Sequence, residues 1–145
     1  MVSSGSDRLV VQPIPPELHA SVWEEVTPFL VDALHNSEDE LDVPYCFERC
    51  QEGTFDLWIT TRGKKLVGFM MTDRILTVKG IWVNVPLASF SKDLEAMNAS
   101  LGRLEEVAQL AGFKGVKFIS KDRRFGHYSE RRGYRERYRE YVKEF

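Results

Sequence analysis

The sequence predicts an α/β (α+β) fold: a mixed, mostly antiparallel twisted sheet with helices on both faces. Three observations carry this. The apolar spacing is helical over residues 15–50 and alternating over 55–85. The alternating runs are joined by tight turns, which makes neighbouring strands antiparallel. A long amphipathic helix then separates two strands, and such a crossover makes the last pair parallel.

The elements follow in order. LVVQPI (Leu9 to Ile14) reads as a short strand ended by proline. Pro15 and Pro16 suit the first turn of a helix, and Leu18, Val22, Val26, Phe29 and Leu30 carry that helix to about His35. Pro28 is expected to kink or interrupt it. Asn36 to Asp42 is an acidic loop, and Asp42 caps a shorter helix running through Cys50. FDLWITT (Phe55 to Thr61) is a strand, Arg62-Gly63-Lys64 a turn, and KLVGFMMTDRIL the next strand. A fourth strand covers Val78 to Val85, ended by Pro86. A long helix starts near Ser91 as N-cap, with Leu94, Met97, Leu101, Leu104, Ala108 and Ala111 in one stripe and Gly112 as terminator. GVKFIS (Gly115 to Ser120) is a strand, and Asp122 caps a last helix through Arg132, closed by Gly133. The tail YRERYREYVKEF fits a strand or a helix, with local propensity favouring helix.

At 145 residues, with 43% apolar and 29% charged side chains, the composition is that of one globular domain, not of a disordered, collagen-like or disulfide-scaffold chain. Residues 1–7 are expected as a flexible N-terminus and 8–145 as a single domain. No apolar run reaches a membrane span of ~20 residues and MVSSGSD does not read as a signal peptide, so a cytoplasmic location and no membrane contact are expected. Net charge is only −2, yet residues 1–61 carry two basic against twelve acidic side chains, and residues 114–145 carry eleven basic against five acidic. This asymmetry suggests two surfaces with different partners, or two halves that neutralise each other.

The element order resembles that of the GNAT superfamily of N-acetyltransferases. The run from Ile81 to Ser120 is similar to its cofactor-binding core, and YSERRGY (Tyr128 to Tyr134) resembles its YE(K/R)xGF helix ending, after which the family places a strand. The resemblance implies an acetyl-CoA-dependent N-acetyltransferase. Pantetheine would bind the fourth-strand backbone at Val83, Asn84 and Val85, and Ser91 and Lys92 would bind phosphate. The family's (R/Q)xxGx(G/A) pyrophosphate loop is degenerate here: PLASFSKDL (Pro86 to Leu94) has no glycine, arginine or glutamine, and Asp93 adds negative charge beside the helix start. Alignment puts Ser129 where many members carry the tyrosine that protonates the leaving thiolate, with Tyr128 one residue early, about 100° round the helix. The pattern also resembles degenerate GNAT-like proteins of tailed phages, some of which are virion or internal head components. That implies a non-catalytic structural or assembly protein as the alternative, located in the host cytoplasm or the virion.

Partner expectations follow from charge. Carboxylates at Glu38, Asp39, Glu40 and Asp42 favour a cationic small molecule or a lysine-containing acceptor. The segment holding Lys121, Arg123, Arg124, Arg131, Arg132, Arg135, Arg137 and Arg139, interleaved with Phe125, Tyr128, Tyr134 and Tyr138, suits protein contact, or nucleic acid as a third reading. Cys46 and Cys50 share a helical face, but His19, His35 and His127 complete no ligand set, so buried thiols and no metal are expected. Trp23, Trp58 and Trp82 are expected in the core.

Overall fold

The computed structural model describes residues 8–35, 41–119, 129–137 and 140–145. Its elements are β1 (Leu9–Ile14), a 3-10 turn (Pro16–Leu18), α1 (His19–His35), α2 (Val43–Gln51), β2 (Asp56–Arg62), β3 (Lys65–Thr77), β4 (Gly80–Ser89), α3 (Leu94–Leu110) and β5 (Gly115–Phe118). The five strands form one sheet in sequence order, antiparallel from β1 to β4 and parallel between β4 and β5.

Alternation along the strands divides the core in two. Leu57, Ile59, Phe69 and Met71 point to one face and pack with Val26 and Leu30 of α1 and Cys46 and Cys50 of α2. Trp58, Met70, Val83 and Val85 point to the other face and pack under Met97, Leu101, Leu104 and Ala108 of α3. Each fully buried side chain of this size contributes about 1.5–3 kcal/mol relative to exposure, so both helical layers are held by the sheet they cover. The fold class read from the sequence is the one observed. Asp42 accepts from Tyr45 N at 2.8 Å as the N-cap of α2, and Gly112 closes α3 at φ +77°.

Several expectations are corrected. α1 runs unbroken through Pro28, and Thr27 Oγ1 bonds to Trp23 O at 2.6 Å in the turn before it. β4 starts at Gly80, because Val78 lies fully exposed in the turn. It also does not stop at Pro86. Met71 pairs with Leu87 but Asp73 pairs with Asn84, so β4 carries one extra residue, a β-bulge around Val85 and Pro86. A bulge interrupts the ladder, which is where a strand tolerates a residue without an N–H. It also switches side-chain parity: Val83 and Val85 face α3, whereas Leu87 faces α1 and α2. α3 is capped by Asp93 rather than Ser91, and with that start Leu94 is exposed while Ala96 and Ser100 enter the buried face.

Of the three tryptophans only Trp58 is buried; Trp23 is half-buried against the α1–α2 core, and Trp82 is half-buried outside both core clusters, with Lys117 Nζ and the Arg137 guanidinium 5.4 and 5.3 Å from its ring centre. β5 ends at Phe118, so Ile119 is irregular. Of the last helix, Ser129–Arg131 is helical and Tyr134 N closes it onto Ser129 O at 3.0 Å, while Asp122 to Tyr128 lie outside the described residues. The described tail, 134–137 and 140–145, is neither strand nor helix. Its first residues fold back onto aromatic side chains instead: Tyr134 lies 4.8 Å from Phe118 and Arg137 lies over Trp82.

Candidate functional site

The turn from β4 into α3 gathers most of the chemistry. Ser91 and Lys92 adopt φ of +48° and +69°, consecutive left-handed residues without glycine. Such conformations cost side-chain-bearing residues about 1–2 kcal/mol each, so the surroundings must impose them. Three contacts do so. Phe90 is buried under α3, Asp93 N bonds back to Phe90 O at 2.8 Å, and Ser89 Oγ donates to Asp32 Oδ2 at 2.7 Å.

A helix N-terminus offers free N–H groups and a positive dipole end, which together attract anions. Here the chain supplies the anion. Asp93 Oδ1 accepts from Ala96 N at 3.0 Å, and Arg62 Nη2 donates to both Asp93 oxygens at 3.2 and 3.0 Å. Arg62 Nη1 also lies 3.7 Å from Glu95. The Ala96 N–H first, and then Arg62, hold the Asp93 carboxyl below the usual carboxylate range against the opposing effect of desolvation. The Asp93 bond raises Arg62 in turn. Sequence reading noticed Asp93 but placed Arg62 in a hairpin turn. Nothing local links two residues 31 apart.

The remaining predicted site residues are spread along β4 and the C-terminal segment. Val83 and Val85 are buried beneath α3, and Asn84 is half-buried. Val83, Asn84 and Val85 pair with Val116, Lys117 and Phe118 of β5, and Val83 and Asn84 pair with Arg74 and Asp73 of β3. Pairing with β5 ends at Val85, whereas β4 continues to Ser89. Ser91 and Lys92 are exposed at the end of that strand. Ser129 is buried, and its carbonyl accepts from Arg132 N and Tyr134 N. Tyr128 lies outside the described residues, as do Glu38, Asp39 and Glu40, Lys121, Arg123 and Arg124, and Phe125, Tyr138 and Arg139. Two described members of the acidic and basic segments act within the chain. Asp42 caps α2, and Arg132 binds Asn98 and, at 2.6 Å, Glu105 on α3. Burial raises the Tyr134 phenol above its usual range, and Glu105 acts in the same direction.

Cys46 and Cys50 are buried free thiols, as expected, pushed up to about 11 and about 12 chiefly by burial. Among the described residues no group of three or more His, Cys, Asp or Glu side chains is placed to hold a metal ion. No helix among them is long and apolar enough to cross a membrane.

No protein-family model matches the sequence, and no curated protein does. Solved structures do match. An aminoglycoside acetyltransferase from an uncultured soil metagenomic sample superposes with a TM-score of 0.72 at 13% identity, over 95% of this chain and 99% of the other. The ribosomal-protein-alanine N-acetyltransferase of Brucella melitensis biovar Abortus gives 0.72 at 12% identity, again over 95% and 99%. A GNAT family acetyltransferase of Staphylococcus aureus gives 0.65 at 12% identity, over 94% and 98%. Matches that span both chains almost completely at such low identity share architecture rather than sequence. The chain has the fold of the GNAT acetyltransferases.

Proposed function

We propose that this chain is a GNAT-fold protein with a degenerate pyrophosphate loop, working as a binding or assembly module rather than as an efficient acetyl-CoA-dependent enzyme. The observation that carries the reading is the Asp93 carboxylate seated on the α3 N-terminus and held there by Arg62. The diphosphate of acetyl-CoA would need the same N–H groups and would meet a negative charge 3.0 Å from Ala96 N. The residues present do not fit that cofactor group. Side chains on Ser91 and Lys92 stand where close backbone approach favours glycine. Exposed Leu76, Val78, Ile119, Tyr141, Val142 and Phe145 support a role in protein contact. A phage particle as the setting rests on the resemblance in sequence pattern, and mass spectrometry of purified particles tests it by looking for the chain at fixed copy number.

Titration calorimetry tests the main reading. No heat is expected with acetyl-CoA up to about 1 mM. Asp93→Ser keeps a capping side chain and removes the charge, so it is expected to bind acetyl-CoA more tightly than the native chain. Micromolar binding by the native chain, unimproved in the variant, would refute the reading.

A weak acyl-CoA-dependent N-acetyltransferase is the second reading, favoured by the β4 edge that continues past the end of β5. Pantetheine would follow β4 from Val83, Asn84 and Val85 along that edge, Ser91 and Lys92 would hold phosphate, and Tyr128 or Ser129 would protonate the leaving thiolate. Its acceptor would be an amine, as in the printed names of the aminoglycoside and ribosomal-protein-alanine enzymes.

A further inference from the structure

The β3–β4 hairpin outruns the rest of the sheet. β2 starts at Asp56, opposite Thr72, whereas β3 continues to Thr77 before the turn at Val78 and Lys79. Residues 73–77, about 17 Å of strand, therefore have β4 on one side and, among the described residues, no strand on the other. Alternate residues of such an edge present N–H and C=O groups that no ladder of the sheet uses, a template for another strand.

The edge is apolar where it is most exposed. Leu76 is 79% exposed, and Val78 at the tip is fully so. Arg74 does not cover them: its guanidinium turns to Asp56 at 4.0 Å and to the Phe113 ring at 5.9 Å. Where β2 stops, a notch of about 300 Å³ lies beside the edge, lined by Gly53, Thr54, Asp56, Asp73 and Arg74. Two carboxylates against one guanidinium make the notch acidic, and exposed Lys79 makes the hairpin tip basic.

An arm of this kind complements itself. Antiparallel pairing about a two-fold axis normal to the sheet keeps both α3 helices on one side, so paired residues must share a face. Pairing Leu76 with Leu76 gives the longest overlap in which Val78 of one copy does not run into the place that Asp56 holds opposite Thr72 in the other. It sets Ile75 against Thr77 and Arg74 against Val78, and it carries each Lys79 to the other copy's notch beside Asp56.

We propose that the β3–β4 arm pairs with the same arm of a second copy of this chain, edge to edge along β3, with each Lys79 seated in the other copy's acidic notch. This pairing rests on the protein-contact role proposed above and names its partner, but it needs no acetyl-CoA and is independent of the α3 turn. The overlap is short and falls well below a standard-size interface, so the dimer is weak.

Sedimentation velocity on the full chain, without cofactor, is the test. The native chain is expected to pass from monomer to dimer with a dissociation constant of about 10–100 μM. Leu76→Lys changes an exposed side chain and sets two like charges opposite each other at the axis, so it is expected to keep the circular dichroism spectrum and lose the dimer. Lys79→Glu and Asp56→Lys are each expected to weaken the dimer at least about tenfold, by like charge at both notches. Their equimolar mixture is expected to recover it, because both notches of the mixed dimer then join opposite charges. A native chain still monomeric at about 500 μM overturns the proposal. So does undiminished dimerisation by folded Leu76→Lys, or a mixture that associates no better than its components. Micromolar acetyl-CoA binding would leave the dimer standing, and a monomeric chain would leave the calorimetry standing, so the two readings fail separately.

Discussion

Gly68→Ala tests how the turn at α3 is supported from below. A Cβ built on Gly68 falls 2.2 Å from Phe90 Cδ1 and 2.9 Å from Ser89 O. The ring is only 9% exposed within the α3 cluster, so it has little room to swing away. The oxygen belongs to backbone held by the Phe69–Ser89 pairing. Overpacking of this kind costs about 1–3 kcal/mol. For a chain of this length that lowers the melting temperature by about 3–10 °C. Guanidinium unfolding should show a lower midpoint with an unchanged slope. A double-mutant cycle isolates the cause. Phe90→Ala alone costs about 3–5 kcal/mol through its cavity, and adding Gly68→Ala in that background should cost less than about 1 kcal/mol because only the oxygen contact remains. A Gly68→Ala variant within about 0.5 kcal/mol of the native chain, or strict additivity in the cycle, refutes the argument.

Three other outcomes follow from buried or capping groups. The lowered Asp93 carboxyl means that its ionised form stabilises the fold above the unfolded carboxylate range and that this contribution is lost as pH falls through the folded value. Asp93→Asn caps comparably but does not titrate, so its stability gap from the native chain should close as pH drops below about 4 in acid unfolding. In the buried pair, Ser100 Oγ donates to Ala96 O at 2.7 Å, which leaves Thr60 as donor to Ser100 at 2.5 Å. Thr60→Val therefore removes one bond for about 1 kcal/mol, whereas Ser100→Ala strands the Thr60 hydroxyl and costs about 1–3 kcal/mol by denaturant titration. Cys46 and Cys50, raised to about 11 and about 12, should resist iodoacetamide at pH 8 in the native chain and react only on unfolding.

The sequence was legible wherever one residue settles a local geometry. Asp42 as a cap, Gly112 and Gly133 after helices, and the Gly63-Lys64 turn of the hairpin all read correctly because turn and cap chemistry is short-range, although Arg62 itself is the last residue of β2. The pattern of Phe55 to Thr61 marks a strand but not that both its faces are covered, as the burial of Leu57 to Thr60 shows. The misreadings lie where distant contacts decide. Pro86 signals a strand end in isolation, yet the bulge paired against Met71 and Asp73 absorbs it. Ser91 is as good a cap as Asp93 by type, and Arg62 and the buried Phe90 decide between them from far along the chain and from the core. The tail carried both helical and strand periodicity, and its described part adopts neither, drawn instead to Phe118 and Trp82.

That choice of cap bears on what the turn is for. A helix start that binds a diphosphate leaves N–H groups to water whenever the ligand is away, and glycine there adds backbone entropy to the ligand-free state. In this chain Ala96 N is satisfied by Asp93, Asp93 is tied to Arg62 at the β2–β3 hairpin, and Ser89 is tied to Asp32 of α1. These bonds join two strands of the sheet, β2 and β4, and both helical layers without any bound molecule. A cofactor would have to displace Asp93 and break its Arg62 pair before gaining its own contacts. The turn is thus organised as structure that is complete on its own, and the proposed loss of tight acetyl-CoA binding is the functional side of the same bonds.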